Sequence, residues 1–202
     1  EPKPMLVPMC VKESCCCDMS GLSLKNVTLS LIDTAKNKAV YKELGEMLFT
    51  HFGVSGPLVL SASAYVKKSD YRLEIDLKPA LDDKKLDARL LRDFGEQHAK
   101  QISTVMRGLL PQAMVEPVLD KAGVAIDTKI SEITKVQRAA IVNALKRFDL
   151  TVTGLRPIEE AIITDGGVSL KEIDPKTMQS KLIDGLYFAG EIIDCAAYTG
   201  GY

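Results

Sequence analysis

The stretch Tyr71-Arg-Leu-Glu-Ile-Asp-Leu77-Lys-Pro79 carries the change of pattern that decides the fold. Tyr71, Leu73, Ile75 and Leu77 alternate with Arg72, Glu74 and Asp76, the repeat of a strand with one buried face. Lys78-Pro79 closes it, since proline cannot donate to a ladder and turns the preceding residue away from helix. From Asp82 the repeat becomes helical. Leu86, Leu90, Phe94, Ile102, Val105 and Leu109, helped by Leu91 and Met106, form one stripe, which Asp82 or Asp83 can cap. His98 falls on that stripe and reads as a packed or boundary histidine, with no ligand-type partner at helical spacing.

Two further helical stripes follow. Pro111 ends the first helix, and Met114, Val118 and Ala122 continue a shorter one to Gly123, with Pro117 expected to kink it or delay its start. Thr134-Lys-Val-Gln137 is a capping box before Val136, Ala140, Ile141, Ala144, Leu145 and Phe148. Strand signals resume at Leu150–Thr153 and Ala161–Thr164. Before Tyr71, Leu22–Leu31 alternates as a half-buried strand and Asp33–Lys38 is a polar turn. Val40–Tyr41 and Met47–Phe49 then read as two strands with a hairpin at or near Gly45. Glu1–Pro8 is extended, and Cys10–Ser20 is irregular. The fold class is therefore α+β, with a helical insertion between strand-rich regions.

The bulk numbers are those of an ordinary globular chain of one or two domains. Of 202 residues, 46% are hydrophobic and 26% charged, which supplies ample core. The 26 basic residues face 27 acidic ones, so there is no electrostatic footprint for nucleic acid. No apolar run reaches the ~18 residues of a membrane span, and no secretory leader is evident. The first residue is Glu1 rather than Met, so the chain reads as an excised piece. Five cysteines are present, Cys15, Cys16 and Cys17 being adjacent. They read as free thiols of a reducing cytoplasm, with a redox role for Cys195 as the sharper alternative. No spacing supports a metal site.

Two blocks carry chemistry. In Leu48-Phe-Thr-His51-Phe-Gly-Val-Ser55-Gly-Pro57, the pattern Gly-Val-Ser-Gly-Pro is close to the hydrolase elbow G-x-S-x-G. Pro57 replaces the last glycine, so Ser55 is read as an N-cap of a short helix reaching about Val66. His51 is either a proton donor or a residue that holds the loop by hydrogen bonds. The second block is Gly185-Leu-Tyr-Phe-Ala-Gly190-Glu191-Ile-Ile-Asp194-Cys-Ala-Ala-Tyr-Thr199-Gly200-Gly201-Tyr202. Leu186–Ala189 has the length of a buried strand, ended by Gly190, with the Glu191 carboxylate at its carboxyl end. Thr199-Gly-Gly201 can leave N–H groups free for phosphate or a ring carbonyl. A carboxylate suits ribose or ribityl hydroxyls, so the block suggests one end of a dinucleotide site.

Gly185–Glu191 resembles the second FAD-contacting motif of two-dinucleotide-binding flavoproteins. With Asp194 and Tyr198–Tyr202, with Leu48–Pro57, and with Thr164-Asp-Gly-Gly-Val168 through Thr177–Lys181, the chain resembles the BaiN-type family of bacterial NAD(P)/FAD-dependent oxidoreductases. The resemblance runs over the whole chain and is specific in those three blocks. It implies a β-barrel-like subdomain, 1–81 with 149–165, interrupted by a helical subdomain, 82–148. Residues 166–202 would be the C-terminal remnant of a Rossmann-like FAD domain. It implies FAD and NAD(P)H as cofactors, with Gly190, Glu191, Asp194, Thr199, Gly200 and Gly201 against FAD, and a cytoplasmic enzyme acting on a small-molecule substrate without nucleic acid or membrane. No catalytic residue is assigned beyond the candidate His51. The phosphate-binding G-x-G-x-x-G turn is not in this chain and would belong to a missing N-terminal FAD domain, so this piece alone is expected to bind FAD weakly. The competing class is a non-catalytic binding module, a barrel with a helical insertion used as a docking surface.

Overall fold

The computed structural model describes residues 2–67 and 70–195. Its centre is a closed antiparallel barrel of six strands. They are β2 (Met9–Val11), β3 (Ser23–Asp33), β4 (Lys38–Thr50), β5 (Gly53–Ser55), β6 (Tyr71–Asp76) and β7 (Phe148–Leu155). The order around the barrel is β2-β5-β4-β3-β6-β7, and pairing of β7 with β2 closes it. Closure pairs each of these six strands on both sides. β1 (Lys3–Met5) lies outside, paired with β8 (Ile163–Asp165) as a two-stranded ribbon.

The alternation of β6 does what its pattern requires. Leu73 and Ile75 are fully buried, and they stand beside Leu31 and Leu29 on β3 and beside Leu150 and Phe148 on β7. β3 is the longer version of the predicted strand. Its pairing with β4 shifts between Leu24 and Val27, and this bulge lets both residues face inward although their parities differ.

Several expectations are corrected. Val40–Tyr41 and Met47–Phe49 belong to one strand, β4, with Gly45 in its middle. The hairpin is at 33–38, where the Asp33 carboxylate accepts the Lys36 N–H at 3.1 Å and Asn37 takes a positive φ of 47°. Gly45 lies under helix α2 (Pro57–Ser63), where an added Cβ would sit 3.1 Å from Leu58 Cδ2. Ser55 is not the N-cap of α2. Gly56 occupies that position with φ 89°, and Ser55 ends β5. Pro57 at the first helical position fits its fixed φ and missing donor.

The long helical stripe is split between α3 (Asp83–Glu96) and α4 (Ile102–Met106). Between them the chain pairs at Gln101–Lys129, and the Ile102 N–H is taken by the Thr128 carbonyl at 2.8 Å. That outside partner draws the backbone off the helical path, and His98 lies exposed in the break. α5 (Gln112–Lys121) starts at Pro111 without delay and runs through Pro117. α6 (Lys135–Lys146) opens on the predicted capping box, with Thr134 Oγ1 accepting the Gln137 N–H at 3.2 Å and Gln137 Oε1 accepting the Thr134 N–H at 2.9 Å. A one-turn helix, α1 (Cys15–Asp18), precedes β3.

Helices α3 to α6 fall between β6 and β7, which pair with each other, so they enter and leave the barrel at adjacent points. Barrel and helices share one buried cluster, running from Leu29, Phe49 and Leu73 to Leu86, Met114 and Leu145. Lys146 ties the joint. Its Nζ donates to Asp76 Oδ2 at 2.6 Å, to the Lys78 carbonyl at 3.1 Å and to the Leu81 carbonyl at 2.6 Å. Past β8 the described chain holds single 3-10 turns and isolated bridges. Leu186–Ala189 is not a strand. Tyr187 makes one bridge, to Gln179, and Leu186 and Tyr187 are 38% and 60% exposed. A short apolar run becomes a strand only between neighbours, and among the described residues this one has a single partner. No helix among the described residues is long and apolar enough to cross a membrane.

Candidate functional site

The ribbon β1–β8 delivers the chain to the segment bearing most of the sequence-predicted site residues. Gly166 follows β8 with φ 97°. Gly167 then sits against a second backbone segment, and a Cβ there would lie 2.4 Å from the Ile192 carbonyl oxygen. Val168 pairs parallel with Ile193. Its N–H goes to the Ile192 carbonyl at 2.8 Å, and its carbonyl accepts the Asp194 N–H at 3.0 Å. Gly166-Gly167-Val168 is therefore the seat on which residues 190–194 rest. In sequence alone such a glycine pair reads as a turn, and the close approach is set by the second segment that rests on it.

Gly190, with φ 79°, begins a single 3-10 turn to Ile192, closed by the Ile193 N–H on the Gly190 carbonyl at 3.2 Å. Glu191 and Asp194 are both exposed on this short segment, as is Cys195. The turn thus carries two exposed carboxylates and the exposed Ile192, and Leu170 and Tyr187 are exposed elsewhere in the same segment. Carboxylates accept hydrogen bonds from vicinal hydroxyls, and an apolar flank suits a ring or a covering surface. Thr199, Gly200 and Gly201 lie outside the described residues. Among the described residues no group of ligand-type side chains converges as a metal site.

His51 stands elsewhere, exposed on the turn from β4 to β5. Its ring meets Phe52 edge-on at 4.9 Å between centroids, and its carbonyl accepts the Cys17 thiol at 2.9 Å. Arg156 also stands over Phe52, with its guanidinium carbon 4.5 Å from the ring centre, and pairs with Glu160 through Nε at 3.0 Å. That hydrogen bond, helped by the charges of Arg156 and His51, holds the Glu160 carboxyl below its ordinary range. Among the described residues no hydrogen bond or ring contact joins His51 to the 190–194 turn, so the two predicted sites are not brought together.

A groove of about 1000 Å³ runs between the ribbon and the barrel wall. Met5, Val66, Tyr71 and Leu155 give it an apolar lining, and Lys3 and Asp165 from the two ribbon strands charge its rim. Sequence reading did not find it, because its walls come from four separate segments, each ordinary alone.

The barrel with helices inserted between two paired strands, and a ribbon carrying the chain onward, is the architecture to which the sequence comparison adds a family. Residues 3–163 match the model described as the HI0933-like protein barrel and H2TH domain. The chain belongs to this HI0933-like family. It is 33% identical over 202 residues to the ribosomal RNA dihydrouridine synthase of Haemophilus influenzae, covering 100% of this chain and 48% of that protein. It is 30% identical over 179 residues to the ribosomal RNA dihydrouridine synthase of Escherichia coli, covering 89% and 43%. It is 24% identical over 204 residues to the 3-dehydro-bile acid delta(4,6)-reductase of Clostridium scindens, covering 98% and 49%. This HI0933-like chain spans about half the length of the curated relatives it matches. The match ends at Ile163, within β8, so the 190–194 turn lies beyond the family's barrel and H2TH unit.

Proposed function

We propose that this HI0933-like chain is part of a flavin-dependent reductase that adds hydrogen across a carbon–carbon double bond conjugated to a carbonyl, and that a uridine ring of ribosomal RNA is its substrate. The observation that carries the reading is the 190–194 turn seated on Gly166–Val168, on which Glu191 and Asp194 are both exposed. The names of the relatives supply the reaction type. A dihydrouridine is a uridine with two hydrogens added across its ring double bond, and a delta(4,6)-reductase removes a conjugated double bond of another ring. In this reading hydride would go to the carbon remote from the carbonyl and a proton to the other carbon of the double bond. The two relatives named for ribosomal RNA are more similar to this chain than the bile-acid enzyme, which favours uridine.

In this reading residues 1–81 with 149–165 form the barrel unit and 82–148 the helical unit. Residues 166–202 are the C-terminal part of a flavin-binding domain, whose phosphate-binding portion and glycine-rich turn lie in a further stretch of the protein. Bound FAD, reduced by NAD(P)H, would supply the hydride. Glu191 would accept hydrogen bonds from ribose or ribityl hydroxyls, with Asp194, Gly190 and Thr199–Gly201 completing that side. The even charge of this chain supplies few phosphate contacts, so an RNA would be held mainly by other parts of the protein or by shape. In this reading the enzyme works in the cytoplasm, where ribosomal RNA is found, and is a flavin reductase of the BaiN type. A small conjugated enone is the second reading, favoured by the bile-acid relative.

The test uses the full-length protein. It should purify yellow and, with NADH or NADPH, convert uridine in unmodified ribosomal RNA to a product two hydrogens heavier. A yellow protein that reduces a steroid-like enone but leaves the RNA unchanged would shift the assignment to the second reading. A colourless protein unable to take up FAD would overturn both. Replacing Glu191 by Gln keeps the shape and weakens the acceptor. Losing a hydrogen bond to a charged group costs ~1.5–3 kcal/mol, so FAD affinity should fall roughly ten- to a hundred-fold. Equal affinity with equal stability would remove Glu191 from the site.

A further inference from the structure

A cleft of about 440 Å³ opens between the one-turn helix α1 and the helices α4 and α5. Its α5 wall is one helical face, Ala113, Glu116, Pro117 and Asp120, at the spacing i, i+3, i+4, i+7. Pro117 lies inside α5 and has no N–H, so the Ala113 carbonyl on that face lacks its helical donor. Ser103 of α4 lines the same cleft. It is 6% exposed, and its hydroxyl has no hydrogen-bond partner among the described residues. A buried hydroxyl without a partner is unfavourable, and so is a proline within a helix. Two such departures meeting in one cleft point to a ligand that takes up both groups.

The charges on the walls set the sign of that ligand. Among the described residues that line the cleft, Asp18, Glu116 and Asp120 stand against Arg107, an excess of two negative charges. None of these four is held in an ion pair with another described residue. Lys121 and Glu13, at the neighbouring depression, are committed to Asp149 at 3.0 Å and to the Thr151 N–H at 2.9 Å. We propose that the cleft is a binding site for a short alkyl diamine, the chemistry of the small polyamines. One ammonium donates to Ser103 Oγ and to the Ala113 carbonyl, both of which are otherwise idle acceptors. The second is balanced by the carboxylates, and Arg107 limits the match to two positive charges.

The remaining walls separate a diamine from a metal ion. Val115, Pro117 and Ile126 give the cleft an apolar side, which suits a methylene stem and not the water shell of a hydrated cation. Among the described residues no group of ligand-type side chains converges as a metal site. Both idle acceptors can also be removed without loss to the fold. Ser103→Ala deletes a hydroxyl that makes no bond within the described protein. Pro117→Ala gives residue 117 an N–H for the Ala113 carbonyl, which completes the helical ladder.

The test is calorimetric titration of the full-length protein with putrescine, beside N-acetylputrescine and magnesium chloride. Putrescine should bind saturably, and N-acetylputrescine, which keeps a single ammonium, should bind more weakly. Ser103→Ala and Pro117→Ala should each weaken putrescine binding about ten-fold, the loss of one hydrogen bond to a charged group. Neither should lower the melting temperature, and Pro117→Ala should raise it. A role in packing alone would change the melting temperature and leave the titration as it was. Heats that do not saturate, or putrescine affinity unchanged in either variant, would overturn the proposal. So would magnesium bound as tightly as the diamine, since the carboxylates alone would then hold the ligand. Should Pro117→Ala fail to fold, Ser103→Ala and the comparison with magnesium decide. The result is independent of whether the protein carries flavin.

Discussion

Gly167 has a role set by the distance between two backbones. With the Ile192 oxygen 2.4 Å from where its Cβ would be and the Asp194 nitrogen 3.0 Å away, alanine there must push the 192–194 backbone off. Gly167→Ala should therefore speed amide hydrogen exchange at Val168 and Asp194 while leaving the barrel amides unchanged. Unaltered exchange at those two amides would show that the seat is not formed. Ser63 is the contrasting case inside the core. Its hydroxyl accepts the buried Val7 N–H at 3.0 Å and donates to the Leu60 carbonyl at 2.7 Å. Ser63→Ala leaves that N–H without its partner, at a cost of about 1–3 kcal/mol readable in urea unfolding. Sequence made neither role legible, because a glycine pair reads as a turn and a helical serine as a polar face. Both depend on a second segment placed by the whole fold.

Elements whose signals are local were legible: the alternation of β6, the capping box of α6 and the stripe of α3 before its break. Those that failed depended on partners far along the chain. The α3 stripe stops because Thr128 captures the Ile102 N–H, and Leu186–Ala189 lacks flanking strands among the described residues. The joint between barrel and helices belongs to this class, since nothing near Lys146 announces its three acceptors. Lys146→Met would leave two carbonyls and the half-buried Asp76 without their cation, which should cost about 1.5–3 kcal/mol. Adding Asp76→Leu should not restore it, because Asp76 Oδ1 also accepts the Lys78 N–H at 2.9 Å. The cap of α3 contributes to the acid limb. The Lys85 N–H on Asp82 holds that carboxyl below its ordinary 3.8, and Arg156 holds Glu160 below 4.5. Both values are lower folded than unfolded. Their contributions are complete above those ordinary values and disappear as pH falls through the lower folded ones. Asp82→Asn keeps the acceptor without the charge, so it should flatten the loss of stability below pH ~4 in acid titrations followed by circular dichroism.

At the scale of the molecule the buried cluster decides what unfolds together. It runs unbroken from the barrel strands into α3, α5 and α6, so barrel and helices lack separate cores and should melt in one transition with equal calorimetric and van't Hoff enthalpies. The segment beyond Asp165 is different. Among its described residues Ile173 is the buried apolar side chain, at 3%, and it is not part of that cluster. Leu170, Leu182, Ile183, Tyr187 and Ile192 are between 57% and 72% exposed. In the proposed function these side chains are covered by the rest of the flavin domain. A chain ending at Asp165 should therefore keep the melting temperature of the longer chain to within about 2 °C, since it loses none of the shared core. It should also lose any concentration-dependent self-association that the exposed segment causes. Sedimentation and calorimetry on both chains read the two effects separately. A large drop in melting temperature on truncation would place residues 166–195 within the folding unit, and the barrel and helices would then depend on the segment that carries Glu191.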